Sequence, residues 1–148
     1  MDIAFDTSVL VGLLDPQDVW HSQAVSLHAA LQSAGFTGIY FACVVAETVS
    51  IATRRLRERK RTGEIDPLLD QIITNFPPDS LTWISFDIPA LYTDILSLVR
   101  ASKGELNFND ALIALACQER QIPFIASFDH DFDQVSALQR LAAADEVT

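Results

Sequence analysis

Four acidic side chains hold positions from which they could do chemistry together: Asp6, Glu47, Asp110 and Asp129. Asp6 follows the short apolar run Ile3-Ala4-Phe5, where a strand gives way to a helix. Thr7 and Ser8 read as turn and N-cap, and Val9 to Leu14 as the first apolar turns. Asp129 follows the apolar run Pro123 to Ser127 in the same manner, while Glu47 and Asp110 lie near the starts of helical segments. In an open α/β sheet, ligands bind outside the carboxyl ends of the strands, so such a fold can gather all four acids at one sheet edge. Two carboxylates about 4 Å apart repel by about 4 kcal/mol at an effective dielectric of about 20. A cluster of this kind is therefore partly protonated or holds a hard divalent cation, and all-oxygen ligands favour Mg2+ or Mn2+ over zinc.

Each acid also has a purely structural use. Asp6 can shape a turn, and Glu47 can stabilise a helix N-terminus. Asp110 stands three residues after the N-cap candidate Asn107, the spacing of a capping box. Asp129 and Asp131 can each form an Asx turn. Asp129 is nearer the strand end and is assigned to the site. Asp131 is placed as an outer ligand, and His130 between them faces water.

The elements that must carry these residues alternate between strand and helix. At 148 residues with 49% hydrophobic content, the chain can close one core of ordinary size, so a single domain over 1–148 is expected. No apolar run approaches the roughly 18 residues of a membrane span, and the N-terminus lacks a basic start, which together predict a cytoplasmic protein. Cys43 and Cys117 sit among apolar neighbours and read as reduced core thiols. Val19, Leu27, Ala30 and Leu31 give a second helix its stripe, up to Gly35. His21 and His28 lie two turns apart on it with no third ligand at metal spacing, so they read as surface or partner-facing side chains.

Gly38 to Ala42 is a second strand, and Cys43 to about Thr62 a long helix free of Gly and Pro. Asp66-Pro67 opens a helix that Pro77-Pro78 closes. Leu81 to Phe86 reads as a third strand, Asp87 as the cap of a helix running to Gly104, and Asn107 to Cys117 as a helix of small and apolar residues. Pro123 to Ser127 is the fourth strand. The tail from Ser136 onward shows no closing strand.

Charge is uneven along the chain. Twenty acids against ten bases give a net charge of −10, a poor surface for polyanions in general. Six of the ten bases, Arg54, Arg55, Arg57, Arg59, Lys60 and Arg61, nevertheless share one window. Such a window can simply be a solvated helix end complementing the helix dipole. On a continuous helix, however, Arg54 comes seven residues after Glu47 and returns to nearly the same face about 10 Å along the axis, and Arg61 returns again. On that reading Arg54 and Arg61 form a route for phosphates toward the acids.

The set F-D-T-S at 5 to 8, A-E at 46 and 47, N-D-A-L-I-A-L-A at 109 to 116 and S-F-D-H-D-F at 127 to 132 resembles the PIN-domain nucleases. In length it is most similar to the toxin members of bacterial VapBC toxin-antitoxin pairs. The resemblance covers about residues 2 to 133. It implies a three-layer α/β fold with a mostly parallel central sheet flanked by helices, and a Mg2+-dependent endoribonuclease in which Mn2+ can substitute. It also implies an acidic site of Asp6, Glu47, Asp110 and Asp129 supported by Ser127, a homodimer, and an antitoxin partner whose tail occupies the site. One or two ions would lower the pKa of a water and neutralise charge on the leaving oxygen, so no side-chain nucleophile is needed. Single-stranded RNA is the expected substrate, because a shallow acidic crevice must admit a kinked backbone. Asn109, where a further acid would be unsurprising, departs from that pattern.

Two other classes share some of these features. A phosphatase with an aspartyl nucleophile after its first strand wants a second acid two positions later, where Ser8 stands instead. A non-catalytic interaction module with the same fold is the other, and metal binding separates it from the nuclease.

Overall fold

In a computed structural model describing residues 1–148, the short apolar runs pair side by side as parallel strands. β1 (Asp2–Phe5) is the centre of a five-stranded sheet. β2 (Thr37–Phe41) and then β3 (Leu81–Thr82) extend it on one side, β4 (Phe124–Ala126) and β5 (Gln139–Leu141) on the other. Parallel neighbours need long crossovers, and helices supply them. α1 (Thr7–Leu14) and α2 (His21–Ser33) join β1 to β2, and α3 (Ala42–Glu58) and α4 (Ile65–Asn75) join β2 to β3. α5 (Ile88–Ala101) and α6 (Phe108–Glu119) lead on to β4. α1 packs on α2 and α3, α5 packs on α6, and the whole forms a three-layer α/β arrangement.

Burial follows from this order. A central parallel strand is covered on both faces and needs apolar side chains throughout. Ile3, Ala4 and Phe5 in β1 and Ile125 and Ala126 in β4 are accordingly buried. They belong to one contiguous cluster that also takes in Leu10, Leu27, Phe41, Ile95 and Leu112. Cys117 lies within it and Cys43 at its margin, both as free thiols. The chain builds outward from β1 to β2 and β3, then crosses to β4 and β5, so the order reverses between β1 and β4. Helices leave these two strands in opposite directions and open a crevice at their carboxyl ends.

Several local expectations are revised. The third strand ends at Thr82, and Ile84–Asp87 turns into a 3-10 helix. Only Leu81 and Thr82 find partners, because the neighbouring β2 itself stops at Phe41. The tail does contain a closing strand: β5 pairs in parallel with β4, Phe124 opposite Gln139 and Ala126 opposite Leu141. His21 and His28 are half-buried, the first with Nδ1 2.7 Å from the Gly12 carbonyl, the second with its ring edge against Phe5.

The long helix is also shorter than expected. α3 stops at Glu58, and Lys60 takes a positive φ of 57°. The Arg61 amide donates to the Leu56 carbonyl at 2.7 Å and the Lys60 amide to that of Arg57 at 3.1 Å. These are the two bonds of a Schellman stop, here without the glycine that usually announces one. Beyond it Arg61 no longer shares a helical face with Glu47.

Candidate functional site

The crevice between β1 and β4 holds a cavity of about 250 Å³ lined by Asp6, Glu47, Asp110 and Asp129. Each acid reaches it from a different element. Asp6 is the N-cap of α1, directly after β1, and Asp129 is the N-cap of the 3-10 helix His130–Gln134 that follows β4. Glu47 sits in the second turn of α3, and Asp110 is the third residue of α6. The four residues singled out in the sequence are thus brought together.

Their hydrogen bonds share a pattern. Asp6 Oδ2 accepts from the Ser8 hydroxyl at 2.7 Å, the Ser8 amide at 3.3 Å and the Ser127 hydroxyl at 2.8 Å. Glu47 Oε2 accepts from the Thr7 hydroxyl at 2.8 Å. Asp110 Oδ2 accepts from the Asn107 amide at 3.2 Å, while the Asn107 side chain accepts from the Asp110 amide at 3.0 Å, which completes the capping box. Asp129 Oδ1 accepts from the Asp131 amide at 2.9 Å. In every case one carboxylate oxygen is fixed by a donor, within three residues for Asp6, Asp110 and Asp129 and from Thr7 on α1 for Glu47, and the other accepts no hydrogen bond from the protein. The structural uses foreseen for Asp6, Asp110 and Asp129 are therefore real, while Glu47 lies past the first turn of α3 and is held by Thr7 instead of stabilising the helix start, and in each case an oxygen is left over.

The electrostatics agree with the geometry. The Asp110 carboxyl is pushed up to about 6, chiefly by burial, which the hydrogen bond from the Asn107 amide opposes and to which repulsion from Asp6, Asp129 and Glu47 adds. Four acids that feel one another are the situation in which a cation or a proton must be taken up. The donor set is all oxygen, with four unengaged oxygens facing shared space, and this chemistry fits a hard divalent ion. As the side chains stand, no three Asp, Glu, His or Cys groups are drawn together into a ready cage. The fit is one of donor chemistry and placement.

Ser127, expected as a supporting residue, is fully buried and bridges Asp6 to the Asp129 amide, which donates to its Oγ at 3.0 Å. Asp131 follows on the 3-10 helix, repelled by Asp129, which raises its carboxyl above the ordinary range, and it does not line the cavity. Arg54 is exposed and also outside the cavity. Arg61 bonds Glu64 and lies 3.6 Å from Asp15, lining a separate cavity with Leu14 and Leu68. Arg54 keeps its place on α3 seven residues after Glu47, whereas the expected alignment of Arg61 with Glu47 does not occur, because α3 ends at Glu58.

The helix row that lines the acidic cavity is instead Glu47, Ile51 and Arg55, spaced by four residues. Rows at this spacing form the ridges of a helix, inclined to its axis, and counting by sevens misses them. Arg55 binds Asp18, another wall residue, whose Oδ1 accepts from the Trp20 amide at 2.8 Å. Thr7, Ser8, Asp18 and Arg55 were not singled out from the sequence. Thr7 and Ser8 had a detectable signal in their adjacency to Asp6, whereas Asp18 and Arg55 had none, since their pairing spans 37 residues.

Fold and cavity together define a three-layer α/β domain with an acidic crevice at its switch point. The chain belongs to the PIN-domain family, whose model matches residues 3–138. PIN domains are generally nucleases, and such nucleases usually use divalent metal ions. No curated protein matches the chain. None of its helices is long and apolar enough to cross a membrane.

Proposed function

We propose that the protein is a Mg2+-dependent endoribonuclease, with Mn2+ as a substitute, and that it is the toxin of a toxin-antitoxin pair. The observation that carries the nuclease reading is the convergence of Asp6, Glu47, Asp110 and Asp129 on one cavity, each with an unengaged oxygen. These four residues would hold the ion. When bound, it supplies acidity to water and neutralises charge on the phosphodiester. The chain's own part is placement. Ser8 and Ser127 fix the Asp6 carboxylate, Thr7 fixes that of Glu47, and the capping box fixes Asp110. No side-chain nucleophile is required, and an attacking water makes no demand for a ribose 2′-hydroxyl.

The choice of RNA and the antitoxin partner rest on the resemblance of the motif blocks to PIN-domain nucleases and of the length to the VapBC toxins, the homodimer on that resemblance and on apolar helix faces, and the cytoplasmic setting on the composition. Cleavage of total cellular RNA with and without Mg2+, compared between the natural sequence and Asp110→Asn, tests the reading. Mg2+-dependent products that disappear in the variant support it, while products common to both proteins defeat it.

The absence of a preformed three-ligand cage favours one second reading, a PIN-like module that binds a protein and cuts nothing. Mn2+ titration separates the two. Stabilisation by the ion that is lost in Asp6→Asn belongs to the nuclease, and no stabilisation at all belongs to the module.

A further inference from the structure

The cations in and beside the acidic cavity are largely spent on internal partners and offer phosphates little of the attraction that a nucleic-acid site ordinarily uses. Arg55 is committed to Asp18, Arg59 lies 3.7 Å from Asp15, and Arg61 is held by Glu64 and Asp15. Arg140, near the other end of the cavity, is bonded to Asp133 and donates to the Ser127 carbonyl at 3.1 Å. With a net charge of −10 as well, backbone electrostatics can supply little of the affinity. Something else must hold a strand against the acids.

Beside the acidic cavity stands a stacked aromatic pair, Trp20 on Phe128, with ring centroids 5.1 Å apart and planes at 22°. Trp20 is 45% exposed and lines both the acidic cavity and a neighbouring one of about 200 Å³ that includes Phe128, His130 and Arg140. Leaving an indole half in water forgoes much of the burial it could gain. The pair is also tied to the catalytic residues by hydrogen bonds. The Phe128 amide donates at 3.0 Å to Ser8 Oγ, the same hydroxyl that holds Asp6, and the Trp20 amide is anchored to Asp18 and through it to Arg55. An aromatic platform fixed at the lip of the acidic cavity is what an unpaired base next to a scissile phosphate would need, since every base offers a π-face and stacking is tolerant of sequence.

We propose that Trp20, backed by Phe128, is the stacking platform for an unpaired nucleobase flanking the cut, so that stacking more than charge holds single-stranded RNA in the site. This rests on the nuclease reading above and deepens it. His130, whose Nδ1 lies between Arg140 and Asp133, borders the same space and leaves Nε2 unengaged for the edge of that base.

The test uses Trp20 as its own reporter. Trp83 is the other tryptophan and follows β3 at the sheet edge farthest from β5, so a Trp83→Phe background leaves Trp20 as the single indole. A short single-stranded oligoribonucleotide, titrated with Ca2+ in place of Mg2+ to slow cleavage, should quench its fluorescence. In the natural background, Trp20→Ala should weaken binding by about 10- to 100-fold, and Trp20→Phe should recover most of the loss. An abasic nucleotide at one position should cost the natural protein a similar factor and cost Trp20→Ala nothing further, a coupling that a merely structural role would not produce. Unquenched fluorescence and unchanged affinity in Trp20→Ala overturn the platform, and if Asp6→Asn still abolishes cleavage the nuclease reading survives alone. Quenching with abasic coupling but without Mg2+-dependent cleavage keeps the platform and overturns the nuclease. If no oligonucleotide binds or quenches, the ledge belongs to a protein partner and the proposal is wrong.

Discussion

Two cavities flank α3, and their charges are arranged in opposite ways. In the first, Asp6, Glu47, Asp110 and Asp129 share one space, the one cation in its wall, Arg55, is bound to Asp18, and the Asp110 carboxyl is raised first by burial, with repulsion from the other three acids adding to it. In the second, Asp15 is buried against Arg59 and Arg61, and Arg61 is further held by Glu64, so opposite charges meet where the chain turns out of α3. The second cavity places opposite charges beside one another within the protein. The first gathers like charges, each with an oxygen that no protein donor engages, an arrangement that costs stability unless a proton or a cation is taken up. The comparison teaches that a cluster of acids signals function by lacking its counter-charge, and that its mere presence signals little.

The sharpest way to break the comparison is to neutralise one member of each cavity. Asp6→Asn should lower the rate of Mg2+-dependent RNA cleavage by about 1,000-fold or more, the scale of several kcal/mol of lost transition-state stabilisation. Circular dichroism should show the fold retained. Asp15→Ala should leave the chemistry nearly intact and instead destabilise the fold by about 2 kcal/mol in urea unfolding, because two arginines and the Gln17 amide lose a buried acceptor. Equal catalytic losses in the two variants would erase the distinction.

A smaller effect separates the exposed cations from the paired ones. Arg54 has no ion-pair partner, so Arg54→Glu should weaken RNA binding and lower the salt slope by about one, measured by titration at several ionic strengths. Arg61→Glu should act mainly on stability, because its guanidinium is already engaged by Glu64 and Asp15.

The pH dependence has a definite sign. The Asp110 carboxyl is held near 6 in the folded protein against an ordinary 3.8, so between these values the folded state binds more protons than the unfolded one. Its contribution is fully present below the ordinary value and is lost as pH rises through about 6. In chelator, the Tm of the natural protein relative to Asp110→Asn should therefore fall from pH 4 toward pH 7, and Mg2+ should reverse the fall. A flat difference would mean that Asp110 is not buried in the crevice as the fold places it. The smallest effect is expected at the capping box. Asn107→Ala should cost about 1 kcal/mol of stability in urea, leaving Asp110 present but less well oriented.

Much of the site was legible because its acids occupy positions with local signatures. Asp6 and Asp129 follow buried runs, and the Asn107-to-Asp110 spacing announces a helix start, so their placement at strand and helix ends needed only periodicity and capping rules. Less legible were features made by neighbours. β5 is three residues long with Leu141 as its only buried side chain, and it exists because β4 offers an open edge. The end of α3 came from a Schellman turn with lysine at the left-handed position, which no composition rule marks. That one stop moved Arg61 from the acidic cavity to the neighbouring one.

The strands and helices from β1 to β4, the positions of Asp6, Asp110 and Asp129 at strand and helix ends, and an all-oxygen donor set were legible in the sequence itself, since each depends on residues within a turn or two of one another. Which cations were spent on internal partners, which oxygens stayed open, and that Trp20 came to rest on Phe128 were decided only by the tertiary fold. Those contacts join residues tens of positions apart, and no local period or cap encodes a distance that exists only after the sheet has closed.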